Sequence, residues 1–301
     1  MNPVSSIYGL VVAARNHLYD RHWLSSRHLE GPVISIGNLS MGGSGKTPFV
    51  ILLGELLEAR GIHFDVLSRG YGRQTRGTLL VDPGGSARDF GDEPLLIARR
   101  LEVPVVLGED RYQAGLLAER EFGPQIHLLD DGFQHRGLAH DFDIVLVTAD
   151  DARDRLLPSG RLREPVAALE RADAIVLTSG ASPDLFPVDG KLVWRAVAFC
   201  GIARPQNFML QLRKAGIEPV AEAVYRDHHL YTENDIRELL ALKARSEAEG
   251  FVTTEKDAIN LGGYLSALHP LAVVPVKMDL VDAANVVDTI LRTIGERKNR
   301  A

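Results

Sequence analysis

Ser40-Met41-Gly42-Gly43-Ser44-Gly45-Lys46-Thr47 follows the apolar run Val33-Ile34-Ser35-Ile36 and leads into a helical pattern. Strand, glycine-rich turn, Gly-Lys-Thr and helix, in that order, make a phosphate-binding P-loop. Glycines let consecutive backbone N–H groups wrap an anion without Cβ clashes. The helix beginning near Thr47 points its positive dipole end at the same anion. Lys46 adds a mobile point charge, and the Thr47 hydroxyl suits Mg²⁺. The usual first glycine falls at position 40, where this chain has Ser40. Gly42 and Gly43 are expected to supply the flexibility instead. The chemistry this predicts is the handling of a nucleoside triphosphate.

Three acidic or imidazole clusters accompany the loop. Ile126-His127-Leu128-Leu129-Asp130-Asp131-Gly132 is an apolar strand ending in acids, the Walker B arrangement that holds Mg²⁺ beside a P-loop. Asp130 and Asp131 point to opposite faces if the strand runs through both, so different jobs are expected, and the division stays open. Gly91-Asp92-Glu93-Pro94 opens a helix, where acids are ordinary dipole partners. On the residues alone that structural role outweighs a general base or metal-associated carboxylate. Asp227-His228-His229 reads either as a polar loop or as a catalytic imidazole oriented by a carboxylate from elsewhere. It offers too few spaced ligands for a metal site of its own.

The elements that must position these groups alternate strand and helix. Apolar runs at 64–67, 78–81, 103–107, 126–129, 142–147 and 174–177 predict strands. The stretches 47–60, 94–101 and 111–122 between them predict helices. Such alternation implies a mostly parallel sheet flanked by helices, an α/β fold of P-loop NTPase type. A smaller α/β unit is expected from about residue 196. It has helices over 206–214 and 233–249, strands over 251–253 and 272–276, and a terminal helix over 283–294. The division expected is 1–30 as an N-terminal helix region, 31–195 as the P-loop unit and 196–301 as the smaller unit. At 301 residues the chain has ample material for such cores, and a net charge of -6 argues against nonspecific nucleic-acid binding. Its single cysteine, Cys200, excludes an internal disulfide and a cysteine-rich metal site.

The first fourteen residues carry no charged side chain. The run is too short to span a bilayer and lacks the basic start of a secretory signal. On a helix, Ile7, Val11, Ala14 and Leu18 share one face, with Tyr8, Val12, Tyr19 and Trp23 beside it. Arg15, His22, Arg27 and His28 flank it as cationic or titratable groups. An amphipathic helix lying on a membrane and a helix packed on the protein core both fit.

Taken together the motifs resemble one family. Val33-Ile-Ser-Ile-Gly-Asn38, the loop through Pro48, Ser68-Arg-Gly-Tyr-Gly72, Gly91-Asp-Glu-Pro94 and Asp130-Asp-Gly-Phe-Gln-His135 occur in this order. Leu157-Pro-Ser-Gly160, Leu162-Arg-Glu164, Asp227-His228 and Thr253-Thr-Glu-Lys-Asp257 follow. This ordered set, covering nearly the whole chain, is similar to tetraacyldisaccharide 4'-kinase, the lipid A 4'-kinase family of Gram-negative bacteria. That family's loop likewise does not require glycine at position 40.

The resemblance implies that ATP donates its γ-phosphoryl group to the 4'-hydroxyl of an acylated disaccharide 1-phosphate, forming lipid IVA. It implies Asp92 and His228 as the catalytic pair, with His228 preferred to His229. Thr47, Glu93, Asp130 and Asp131 become the Mg²⁺ candidates. Asn38, Tyr71, Arg111, Gln134, His135, Arg163 and Glu164 become substrate-binding candidates, arginine suiting a sugar phosphate through its planar fork. For Thr253–Asp257 the sequence suggests only a helix start, Thr254 as cap with Asp257 three residues on. A tetraacyl substrate resists leaving a bilayer, so the implied place is the cytoplasmic face of the inner membrane, held peripherally through the N-terminal helix. No obligatory protein partner and no nucleic acid is expected.

Two other functions fit a P-loop. A GTPase or ATPase switch would read guanine through Asn/Thr-Lys-x-Asp, whereas Lys256 and Asp257 are adjacent here. A soluble small-metabolite kinase or ligase would have no use for the apolar N-terminus.

Overall fold

The computed structural model describes residues 3–178, 182–183, 186–187, 195–278 and 280–299. The chain opens with helix α1 (Pro3–Asp20), then β1 (Val33–Asn38), α2 (Lys46–Glu58), β2 (Phe64–Ser68), β3 (Leu79–Leu80), α3 (Ala87–Phe90) and α4 (Asp92–Leu101). It continues through β4 (Val105–Leu107), α5 (Arg111–Phe122), β5 (Ile126–Asp130), β6 (Phe142–Thr148) and β7 (Ala174–Thr178). Among the described residues these strands form one seven-stranded sheet in the order β3-β4-β2-β5-β1-β6-β7. Every pairing is parallel except that of β3 with β4.

β1 is buried along its whole length because both faces are covered. Ile34 and Ile36 pack with Phe49, Leu53 and Leu57 of α2. Val33 points the other way, into a cluster with Ala114 and Ala118 of α5. The loops at the carboxyl ends of β1 and β5 therefore emerge side by side, with Ile36 in register with Asp130. That rim is where open α/β sheets take their ligands.

The chain then forms β8 (Ser182–Pro183), β9 (Phe186–Pro187), β10 (Ala196–Cys200), α6 (Pro205–Lys214), β11 (Ala221–Val224) and α7 (Glu233–Arg245). β12 (Gly250–Thr254), α8 (Glu255–Leu261), β13 (Leu271–Val274), β14 (Val276–Lys277) and α9 (Ala283–Lys298) complete it. A second sheet runs β11-β10-β12-β13-β9, parallel apart from β13 with β9.

Several expectations shift. The strand expected at 78–81 shrinks to Leu79–Leu80, an antiparallel edge on β4. The strand expected over 272–276 divides at Pro275, which has no N–H to continue the ladder. The helix expected to reach residue 249 stops at Arg245, and Glu247 turns into left-handed space at φ 51°. α9 runs on to Lys298, past the expected end at 294. It also packs on the first sheet's side of the molecule: Val287, Ile290 and Ile294 join the cluster that contains α2. Arg297 at its end pairs with Asp173 at 2.5 Å.

α1 is neither free nor buried. Tyr8 Oη donates to the Arg163 carbonyl at 2.9 Å, Asn16 to Glu164 at 2.9 Å and Arg15 to the Gln134 carbonyl. Val12 is its buried residue. Val4, Ile7, Leu10 and Val11 face outward, each more than half exposed. Two of the expected cationic flanks are engaged with protein instead, Arg15 as above and Arg27 with Asp110 at 2.6 Å. No helix among the described residues is long and apolar enough to cross a membrane.

Candidate functional site

The P-loop needs its glycines. Gly42, Gly43 and Gly45 take φ values of 66°, 71° and 83°, in the left-handed region that side chains disfavour. Gly45 is the residue before α2, and no side chain caps the helix there. The first N–H groups of α2 are thus left to an incoming anion. Ser40 stays buried and adds a backbone bridge to Leu162, so the position that lacks glycine is the anchored foot of the loop and not one of its left-handed residues. Lys46 Nζ reaches Asn38 Oδ1 at 3.0 Å and Asp131 at 3.2 Å. Asn38 in turn donates to Ser44 Oγ at 2.6 Å, tying the strand end to the loop.

The two Walker-type acids separate physically. β5 ends at Asp130, and Asp131 enters left-handed space at φ 53°, so the strand does not run through both. Asp131 accepts from both terminal nitrogens of Arg163, at 2.8 and 2.9 Å. Burial would raise its pKa, but Lys46 and Arg163 hold it well below the usual carboxylate range. Asp130 has the opposite environment. Its Oδ2 accepts from Ser68 at 3.1 Å, while its buried Oδ1 has no hydrogen-bond partner. Burial, then Glu93 and Asp131, push it up to about 7.

Asp92 and His228, distant in sequence, meet across the cleft. His228 Nδ1 lies 2.9 and 3.0 Å from the two Asp92 oxygens. Asn260 donates to Asp92 Oδ2 at 3.0 Å. Burial alone would raise Asp92, yet the His228 hydrogen bond and the Lys256 charge outweigh it and bring the carboxyl to about 2. Burial opposes charging of His228, and the Asp92 hydrogen bond raises its pKa on balance. Gly91 makes the approach: a Cβ there would lie 2.9 Å from the Tyr71 carbonyl, and its φ is 85°. His229 turns away, 3.1 Å from Asp235 and stacked on Tyr225.

The other candidates spread around this centre. Tyr71 is 66% exposed with its ring 5.4 Å from that of His228. Gln134 donates to the Asn38 carbonyl at 2.9 Å. Arg111 is buried and donates to the Gly108 carbonyl at 3.0 Å; burial brings it down to about 10. His135 has a buried, unpartnered Nε2, and burial together with the Arg111 charge brings it to about 4. Glu164 does not join the cleft. It is buried against Arg171 at 2.9 Å and Asn16 of α1.

Between the two sheets lies a cavity of about 420 Å³ lined by the P-loop, Glu93, Asp150, Arg204, His228 and Lys256. Sequence reasoning missed Arg204, and it singled out Lys256 only within the Thr253–Asp257 motif, with no role beyond a helix start. Arg204 packs on Gly43 and pairs with Asp150 at 3.5 Å. Lys256 stands on α8, whose start was legible: Thr254 caps it by accepting from the Asp257 N–H at 3.1 Å. Asp257 also accepts from the Gly201 N–H at 2.7 Å and the Tyr231 hydroxyl at 2.9 Å. The turn that carries His228 is anchored to the same place, its N–H donating to the Gly201 carbonyl at 3.1 Å.

Comparison with known proteins points to one family. The profile of the family described as tetraacyldisaccharide-1-P 4'-kinase matches residues 1–192 and 187–295. A tetraacyldisaccharide 4'-kinase of Koribacter versatilis is 49% identical, over 99% of this chain and 100% of that one. One from Aquifex aeolicus is 38% identical over 87% and 89%. The crystal structure of LpxK from Aquifex aeolicus in complex with ATP matches with a TM-score of 0.80 at 36% identity, over 97% of this chain and 98% of that one.

Proposed function

The chain belongs to the tetraacyldisaccharide-1-P 4'-kinase family, and on that premise we propose that it moves the γ-phosphoryl group of ATP to the 4'-hydroxyl of a tetraacyldisaccharide 1-phosphate, giving lipid IVA. The observation that carries this reading is the Asp92–His228 pair at 2.9 Å, in the cleft that the P-loop lines.

The triphosphate lies against the free N–H groups of the loop and of α2. Lys46, now held by Asp131, exchanges that partner for phosphate oxygens. The 4'-hydroxyl donates to Asp92, which His228 and Asn260 orient. As the new O–P bond forms and the bond to ADP breaks, the hydroxyl proton passes to Asp92. A carboxylate at about 2 is a weak base, which suits a transfer that depends more on position and charge than on early proton removal.

Mg²⁺ fits the residues present. Asp130 offers a buried oxygen without a partner and a carboxyl raised for want of a counter-charge. Asp130 and Thr47 would hold the ion, with Glu93 close to Asp130 in charge terms. Among the described residues no group of three acidic, His or Cys side chains is placed to hold a metal. Mg²⁺ ordinarily takes few protein ligands and completes its shell with phosphate and water. When bound it would neutralise charge on the phosphoryl oxygens. Asp131 is better read as the seat of Lys46 and Arg163.

Arg111, Arg163, Gln134, His135, Asn38 and Tyr71 are the groups available to the sugar phosphate. The outward stripe of α1 suits the acyl chains and the headgroup boundary, which supports peripheral attachment to the cytoplasmic face of the inner membrane. The test is incubation with γ-labelled ATP, Mg²⁺ and detergent-dispersed tetraacyldisaccharide 1-phosphate, followed by thin-layer separation. Label in the lipid is the expected result. Label released only as inorganic phosphate would overturn the reading.

A further inference from the structure

Lys256 extends from α8 into a group of charges drawn from both sheets' surroundings. Its Nζ lies 3.2 Å from Glu93, 3.4 Å from Asp227 and 3.7 Å from Asp92. It also lies 3.3 Å from His228 Nε2, the ring nitrogen not used by Asp92. One helical turn on, at i+4, Asn260 donates to Asp92 Oδ2 at 3.0 Å. Residues four apart share a helix face, so α8 presents one hydrogen-bond donor, Asn260, and one positive charge, Lys256, to the same carboxylate. The helix cannot shift freely. Thr254 and Asp257 fix its first turn to the Gly201 loop, and Arg100 of α4 pairs with Glu255 at 2.8 Å.

We propose that Lys256 is a positioning residue for phosphoryl transfer, joining Asp92, Glu93, Asp227 and His228 into one arrangement across the cleft. The proposal rests on the reading of Asp92, oriented by His228, as the group that receives the 4'-hydroxyl proton. Three carboxylates, Asp92 and Glu93 from the first turn of α4 and Asp227 from the turn after β11, repel one another unless a cation stands among them. A compact ammonium with three rotatable donors suits partners converging from different directions, whereas a planar guanidinium does not. Removing the cation leaves Glu93 and Asp227 without their shared counter-charge, and Asp92 and His228 lose a neighbour each. The consequence is misplacement of the hydroxyl relative to the phosphorus, and small misplacements cost rate rather than binding. The triphosphate seat is built by the P-loop and Lys46; Lys256 lines the same cavity, but its contacts are with Asp92, Glu93, Asp227 and His228 and not with the loop.

The experiment compares the wild type, Lys256→Met, Lys256→Arg, His228→Ala and Lys256→Met/His228→Ala in the labelled-ATP lipid assay. Nucleotide affinity is measured separately by calorimetry, and folding by thermal melting. Lys256→Met is expected to lower kcat on the order of 100-fold with ATP affinity within about threefold. Lys256→Arg, which keeps the charge but not the shape, should fall between Met and the wild type. In the His228→Ala background the Met substitution should cost less than about threefold more, because residues acting as a unit are not additive. Wild-type kcat in Lys256→Met overturns the proposal. So does a loss that multiplies with that of His228→Ala, or one that appears as weaker ATP binding. If the Met variant does not fold, Lys256→Gln replaces it and is read by the same criteria. If neither folds, Lys256→Arg with and without His228→Ala decides: a lowered kcat absorbed by His228→Ala supports the role, and wild-type kcat rejects it. Wild-type protein that leaves the lipid unlabelled defeats the functional reading instead, so the two failures are distinct.

Discussion

At the scale of single residues, neighbouring acids in one sequence motif have opposite charge environments. Asp131 sits between Lys46 and Arg163, whereas Asp130 is buried with one oxygen unpartnered. A carboxyl raised to about 7 keeps a proton in the folded state that the unfolded chain has already released above pH about 4. Stability is therefore lost as pH rises from about 4 through 7. The penalty reaches a few kcal/mol above that window, at roughly 1.4 kcal/mol per pKa unit. Asp130→Asn cannot ionise. Without nucleotide or metal it should melt several degrees above wild type at pH 8, with a much smaller difference at pH 4.5, while losing lipid kinase activity. Scanning fluorimetry at the two pH values checks this, and a lower melting point at pH 8 would refute it. Asp92→Ala and His228→Ala should each lower kcat by about 10²–10⁴ with ATP affinity retained. The double variant should be little worse than the poorer single one, because the two groups share one hydrogen-bonded contact. Fully multiplicative losses in steady-state kinetics would show that they work separately.

Elements explain why those residues meet. α1 was ambiguous because amphipathicity alone does not say which face is covered. The structure docks one side through Tyr8, Val12, Arg15 and Asn16 and leaves Val4, Ile7, Leu10 and Val11 outside. An exposed, contiguous apolar stripe on a soluble surface marks an interaction face. Ile7→Asp/Val11→Asp places two charges there without touching the docked side. Melting temperature and ATP affinity should stay near wild type. Binding to anionic lipid vesicles and turnover of the tetraacyl substrate should both fall by at least about tenfold, since a charge in the acyl boundary is costly. A vesicle flotation assay in which the variant still floats like wild type would return the stripe to an ordinary surface role.

Over the whole molecule, the chain leaves the first sheet, builds the second, and comes back. α9 buries Val287, Ile290 and Ile294 in the cluster that holds α2. The helix behind the P-loop thus depends on the last segment of the chain. Ile290→Ala should cost about 2–5 kcal/mol, the range for a large-to-small change in a core. The loss should appear in the transition that also reports α2 and the first sheet. Urea unfolding followed by hydrogen exchange at α2 amides tests this. Normal protection at α2 in the variant would show that α9 does not support it.

The sequence alone determined the local chemistry. Strand, glycine turn and Gly-Lys-Thr helix are contiguous, so the P-loop's conformation follows from residues a few positions apart. The alternation of apolar runs likewise set the α/β class, because period and turn signals are local. Thr254 as a helix cap was legible for the same reason. Tertiary structure decided what depends on approach between distant segments. It separated Asp130 from Asp131 by ending β5 at the first of them. It set His228 rather than His229 against Asp92, because the turn after β11 is held by Gly201 and points one ring inward and stacks the other on Tyr225. It put Glu164 under α1 instead of in the cleft, and carried α9 back to α2. Lys256 shows the limit most plainly: its motif, Thr253–Asp257, marks a helix start, and nothing local says what the lysine meets. Its surroundings come from positions 92, 93, 227 and 228, and only folding makes them neighbours.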